Sequence, residues 1–287
     1  MFTDSPTTPV RVEVLLELVI EMRQRKLDRA SLRHLVQPDG LPGVTEKSNQ
    51  AMDTLKAALE LELVKEDAEK NIRPNWETRE ALSGREVLIR ALEEKVLKDT
   101  EVEPYFAPFY AFLIAQNSDT AGPGADGTRW AEAFNRDVYG GRTTQDPFNK
   151  DKYTGLRRWL RYAGLGWHDI KDNFVPCPYE RMKRQLPSIF GRDKKLDGSE
   201  FMRRLGTHCP ELDGGRIFRE VNKQYDASVC TRAVASVLRD MHDEDTIALN
   251  CPLDSRGPSL ELAGTEREPK RGLNSDRVDA IELRTRR

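Results

Sequence analysis

A chain of 287 residues is too long for one small domain and points to two or three units of roughly 100 residues each. With 38% hydrophobic and 33% charged residues it is polar for a globular protein, yet not a disordered one. No run approaches the ~18 consecutive apolar residues of a membrane span, and MFTDSPTTPV has neither a basic nor an apolar leader region, so a cytoplasmic protein is expected. A net charge of −2 argues against a chain that coats nucleic acid over its whole surface.

Helical periodicity opens the chain. Val12, Leu15, Leu16, Val19 and Met22 form one apolar stripe, with Glu13, Glu17 and Glu21 on the opposite side. Asp28 is placed to cap a short second helix that turns Leu32, Leu35 and Val36 inward, and QPDGLPG (37–43) ends it. Thr45 is expected to open a third helix, with Ala51, Met52, Leu55, Ala58 and Leu59 inward. An extended, charged element turning at DAEKN (67–71) follows. Residues 84–98 make one more amphipathic helix.

The pattern then restarts. PYFAPFYAFLIAQ (104–116) reads as an apolar helix or buried segment, and NSDTAGPGADG (117–127) as a loop. Thr128 is expected to cap a helix bearing Trp130, Ala131, Phe134 and Val138, and Asn149 precedes one that sets Tyr153, Leu156, Trp159 and Leu160 inward before Gly164 stops it. LGWHD and FVPCP are two short strands around the turn IKDN. In a third round Ser199 precedes one helix, RIFREVNKQY is a second, and Asp226 caps a third carrying Val229, Cys230, Ala233, Val234, Val237, Leu238 and Met241. TIALNCP (246–252) and SLELAG (259–264) are expected to pair as a hairpin, to which RVDAIEL (277–283) could add a strand.

Helix, helix, helix, hairpin thus occurs three times at a period near 90 residues. The expected class is mainly α with small β-hairpins (α+β), built as tandem winged helix-turn-helix units over residues 1–100, 101–190 and 191–287.

Charge is distributed unevenly. Residues 142–195 carry 13 basic and 6 acidic side chains, net +7, while the flanking stretches 1–100, 101–141 and 196–287 carry −3, −4 and −2. Lys150, Lys152, Arg157, Arg158 and Arg161 lie on or at the start of the third helix of the central unit, the helix such a unit presents to the DNA major groove. Arg and Lys there neutralise phosphates. Arg181, Lys183 and Arg184 follow the hairpin, where further phosphate contacts are expected. The third helices of the outer units, with Lys47, Ser48, Asn49, Asp53 and Lys56, and with Ser228, Thr231, Arg232, Ser236 and Arg239 beside Arg256, are weaker readers. The aromatic run Tyr105, Phe106, Phe109, Tyr110 and Phe112 is expected in the core, as are Trp130, Trp159 and Trp167.

No catalytic or metal residues are assigned. GPGADG lacks the GK[ST] of a phosphate loop, and no GxSxG, HExxH or HxE–CxxC element occurs. Cys177, Cys209, Cys230 and Cys251 include no CxxC pair, and a zinc site from Cys177, Cys209, His168 and His208 would have unusual spacing. No cofactor is expected.

TRWAEAFNRDVYGG, NKDKYTGLRRWLRYAGLGW, VPCP and DASVCTRAVASVLRDMHDEDTIAL together resemble the DpdG-like family, accessory proteins of bacterial islands that insert modified deazaguanine into DNA. The likeness covers residues 105–250. It implies a non-catalytic subunit working beside modification or restriction enzymes. The expectation is therefore an adaptor that binds double-stranded DNA, with other subunits of a defence or DNA-processing assembly as partners and no small-molecule substrate. The alternatives are a protein-binding scaffold and a winged-helix transcription regulator.

Overall fold

The computed structural model describes residues 7–23, 25–38, 50–76, 82–116, 126–141, 146–250, 259–264 and 276–284. The expected start of the third helix at Thr45, Lys47, Ser48 and Asn49, most of the GPGADG loop, Cys251 and Arg256 lie outside these residues. Helices α1 (Pro9–Glu21), α2 (Arg29–Val36) and α3 (Gln50–Glu60) lead to strands β1 (Val64–Glu66) and β2 (Ile72–Pro74). Helix α4 (Gly84–Ala91) continues as a π-helical turn, Leu92–Val96. Helices α5 (Phe106–Ala115), α6 (Gly127–Tyr139) and α7 (Lys150–Tyr162) precede β3 (Gly166–His168) and β4 (Phe174–Pro176). Then come α8 (Tyr179–Phe190), β5 (Lys195–Asp197), α9 (Gly198–His208), α10 (Arg216–Val221), β6 (Val229–Cys230) and α11 (Arg232–Asp243). Strands β7 (Ile247–Asn250), β8 (Leu260–Leu262), β9 (Arg277–Val278) and β10 (Ala280–Leu283) close the chain. The class is α+β, mainly helical with small and mostly antiparallel sheets. Among the described residues no helix is long and apolar enough to cross a membrane.

By internal packing the chain forms two units, Met1–Pro104 with Asn149–Ala163, and Tyr105–Phe148 with Gly164–Arg287. In the first, the expected stripe of α1 is its buried face, with Val12, Leu15 and Leu16 at 0% exposure. Helix α1 packs on α3, α4 and α7. Asp28 caps α2 by accepting from the Ser31 N–H. Between α1 and α2, the carbonyl of Leu27 accepts from Ile72 N–H at 2.7 Å, extending the antiparallel β1–β2 pair to the order Leu27, β2, β1.

In the second unit α5 is buried from Phe106 to Ile114, packed on α6, α10 and β4. Tyr105, Phe109, Phe112, Phe134 and Phe148 interlock there at ring separations of 4.8–6.5 Å. The aromatic run is core, as expected.

Two expectations fail in the third round. TIALNCP and SLELAG do not pair with each other. β7 pairs with β10, which also pairs with β5, giving the order β5-β10-β7, whereas β8 lies between β6 and β9. Alternation in a short strand fixes its faces but not its partner. RVDAIEL serves both sheets because Asp279 splits it, its N–H donating to Asn250 O. Asp226 does not cap α11 either. Its carboxylate accepts from the N–H and hydroxyl of Ser228, a local turn that competes with helix. Val229–Cys230 then becomes a strand, and Thr231 caps α11. Similarly Asp197, two residues before Ser199, caps α9, and in the central stretch Asp126, not Thr128, caps α6 by accepting from the Thr128 N–H.

The hairpins repeat in register. Glu62 and Gly164, 102 positions apart, both have positive φ just after a helix, at 53° and 73°. Val64↔Pro74, Lys65↔Arg73 and Glu66↔Ile72 in the first hairpin correspond to Gly166↔Pro176, Trp167↔Val175 and His168↔Phe174 in the second. The turns match atom for atom. Asp67 and Asp169 each accept from the backbone N–H two and four residues on, and from the amide of Asn71 or Asn173. The closing bonds, Asn75 N–H to Leu63 O and Cys177 N–H to Leu165 O, are also equivalent. The same positive φ and closing bond recur after α11, where Asp245 has φ 61° and Arg284 N–H donates to Thr246 O.

Candidate nucleic-acid interface

Helix α7 carries the densest group of expected contacts, and its ends are held in place. At the start, Asn149 accepts from the N–H groups of Asp151 and Lys152, both at 3.0 Å. At the other end, Tyr162 OH donates to Glu13 of α1 at 2.8 Å, and Arg85 of α4 lies over its ring at 5.5 Å. Burial, and then the hydrogen bond to Glu13, push the Tyr162 phenol well above its usual range, so it stays a donor. Tyr153, Leu156, Trp159 and Leu160 form the buried face.

That face fixes what points out. Lys150, Arg158 and Arg161 are exposed, and with Thr154 they recur at helical spacing along one side of α7. The Thr154 hydroxyl bonds back to Lys150 O. Arg157 is half-buried, its guanidinium 5.2 Å from the Tyr153 ring centroid. Lys152 is buried at 1% exposure.

The three expected contacts beyond the hairpin all lie on α8, in the second unit. Lys183 is exposed and its ammonium sits 5.0 Å over the Tyr179 ring. Arg184 is half-buried, 3.8 Å from Glu180. Arg181 is 0% exposed. Its Nε donates to Glu211 at 2.8 Å and its Nη2 to His208 O at 2.9 Å. A guanidinium inside the core cannot meet a phosphate in solvent, so Arg181 and Lys152 leave the set of surface contacts. The sequence placed Arg181 in a basic run, while its helical phase with Met182 and Ile189 turns it inward.

Among the weaker readers, Arg239 is also internal, held by Ala263 O, Leu262 O and Asp276. Lys56 is exposed on α3, with its ammonium 3.8 Å from Glu60. Among the described residues no group of three or more His, Cys, Asp or Glu side chains could hold a metal ion.

Trp167 departs from expectation. It is 51% exposed on the outer face of the β3–β4 hairpin, and Ile170 at the turn is 101% exposed. The shared pattern Asp-x-x-x-Asn-x-x-Pro (67–74 and 169–176) was the available signal. It sets Trp167 level with Lys65 and Ile170 level with Ala68, both outward positions.

A family model described as DpdG-like matches residues 2–255, and the chain therefore belongs to the DpdG-like family. The match includes the N-terminal hundred residues as well as the stretch that carries the resemblance. Neither a curated protein nor a solved structure matches the chain.

Proposed function

We propose that this member of the DpdG-like family is a non-catalytic adaptor that binds duplex DNA in a bacterial DNA-modification or defence assembly. Its contact is with the phosphate backbone, through the exposed side of α7. The observation that carries the reading is the row of Lys150, Arg158 and Arg161 on the outward face of a capped, well-anchored helix. Phosphate contacts of this kind set register and orientation more than they read sequence.

The repeated geometry supports a tandem winged-helix architecture. The first and third copies share a sheet order: an early strand beside the last, and the last beside the middle one (Leu27, β2, β1 and β5, β10, β7). On that reading the third unit starts with α8, so Lys183 and Arg184 belong to its first helix. The 102-residue offset aligns Arg158 and Arg161 of α7 with Lys56 and Leu59 of α3. The central copy alone has two arginines there, which makes it the specialised reader.

A scaffold assembled through the 104–116 aromatic segment would lose that anchor, because Phe106–Ile114 of α5 are all buried. The test is a mobility shift on duplex DNA with Arg158→Glu/Arg161→Glu. Both side chains are exposed, so the fold survives and binding is lost. Undiminished binding by the folded double variant overturns the reading.

A further inference from the structure

The β3–β4 hairpin is built rigidly around an apolar tip. Trp167 and its cross-strand neighbour Val175 face outward, while Phe174 is buried at 0% exposure and its ring meets His168 edge-on at 5.7 Å. Asp169 ties the turn, accepting from Lys171 N–H, Asn173 N–H and the Asn173 amide, each at 2.8 Å. Its carboxyl is held below its usual value, first by the side-chain bond from Asn173 and then by that residue's backbone N–H. One acid of the tip is thus turned into the turn itself. The other, Asp172, stands 3.5 Å from His168 Nδ1. What the tip offers to solvent first is Ile170, fully exposed, beside the exposed cation Lys171.

An exposed tryptophan and a fully exposed isoleucine three positions apart have no role in stabilising a hairpin whose inner face is already packed. The first hairpin, with the same turn and register, carries Lys65, Ala68 and Glu69 where the second carries Trp167, Ile170 and Lys171. The copy with the apolar tip, where exposed Lys171 stands beside exposed Asp172, is also the copy with Arg158 and Arg161 in its preceding helix. The two specialisations go together, within the one stretch of net +7.

We infer that the β3–β4 hairpin is a wedge for duplex DNA. Ile170 enters between base pairs from a groove, Trp167 covers the adjoining sugar edges, and Lys171 meets a phosphate. Apolar side chains pressed into a base step unstack it, and pyrimidine–purine steps yield most easily. This inference rests on the DNA-binding reading above and adds deformation to it.

The experiment uses the full chain and duplexes carrying 2-aminopurine at TA steps. The variant exchanges the hairpin for its first-copy counterpart, Trp167→Lys with Ile170→Ala. These exposed positions leave the fold intact, which a thermal melt verifies. Wild-type protein should raise the 2-aminopurine emission severalfold on binding. The hairpin variant should abolish that rise and weaken binding by about tenfold, the worth of one buried apolar side chain. It should still show a salt-dependent shift. Wild-type binding without a change in emission overturns the wedge and leaves the α7 contact standing. So does equal emission and affinity in the variant, the result expected of a tip that serves a protein partner. Absence of any duplex binding by the wild type overturns both.

Discussion

Arg181 and Glu211 form an ion pair with both side chains at 0% exposure. Removing one partner of such a pair strands the other charge in the core, at a cost of about 3–5 kcal/mol, whereas an apolar pair of similar size can be tolerated. Arg181→Ala should therefore lower the denaturation midpoint sharply, and Arg181→Met with Glu211→Leu should recover much of the loss. Chemical denaturation checks this. A variant Arg181→Ala of unchanged stability would return that residue to the surface.

Asp213 makes a second residue-scale case. It is buried and accepts from Thr231 N–H at 2.6 Å and from the Thr231 hydroxyl at 2.9 Å, which ties its loop to the start of α11. Burial raises its carboxyl to about 6, against the lowering effect of both Thr231 bonds. A folded value above the unfolded one means that the folded state favours the neutral acid. This contribution is complete below about pH 4 and is lost as pH rises through 6, a difference of roughly 3 kcal/mol. Asp213→Asn should flatten the stability profile between pH 4 and 6, even if losing an acceptor lowers it throughout. Denaturation midpoints across that range give the result, and an unchanged slope contradicts it.

At the scale of elements, the α9–α10 region depends on close backbone approach. A Cβ on Gly206 would lie 2.6 Å from backbone atoms of Gly214 and Gly215. No side chain can move aside to relieve such a clash, so Gly206→Ala should destabilise by several kcal/mol, as overpacking against a rigid neighbour does. Ser199→Ala on the same helix should change stability little, and thermal melts of the two separate a local clash from a general effect on α9. Helices of this kind were legible because burial and period coincide. Val12, Leu15, Leu16 and Val19, and likewise Tyr153, Leu156 and Leu160, announce their inward face without help from the rest of the chain. Strand partners were not legible. Whether Ile247–Leu249 pairs with 260–262 or 280–283 is decided by packing against residues far along the chain, including Leu196 of β5. Helix starts failed where an Asp closes a turn of its own, as Asp226 does. Within the candidate site, the sequence named Lys150, Arg158 and Arg161 of α7, which are exposed, but also Lys152, which is buried, and Arg157, which is half-buried. The exposure of Trp167 was not legible, since an aromatic residue in a short strand reads equally as core.

For the whole molecule, a net charge of −2 conceals a stretch of +7. A protein organised this way should bind duplex DNA through few phosphates, at one place, rather than coat it. Its affinity should fall with salt in proportion to the phosphates neutralised, with a slope of about −0.9 for each. The direct measurement is a salt titration of duplex binding for the wild type and for Arg158→Glu/Arg161→Glu. The wild type should give a linear decline of log affinity with log salt, and the variant should bind much more weakly, with a slope shallower by about 2. Equal slopes and affinities for the two folded proteins would contradict a DNA contact through α7.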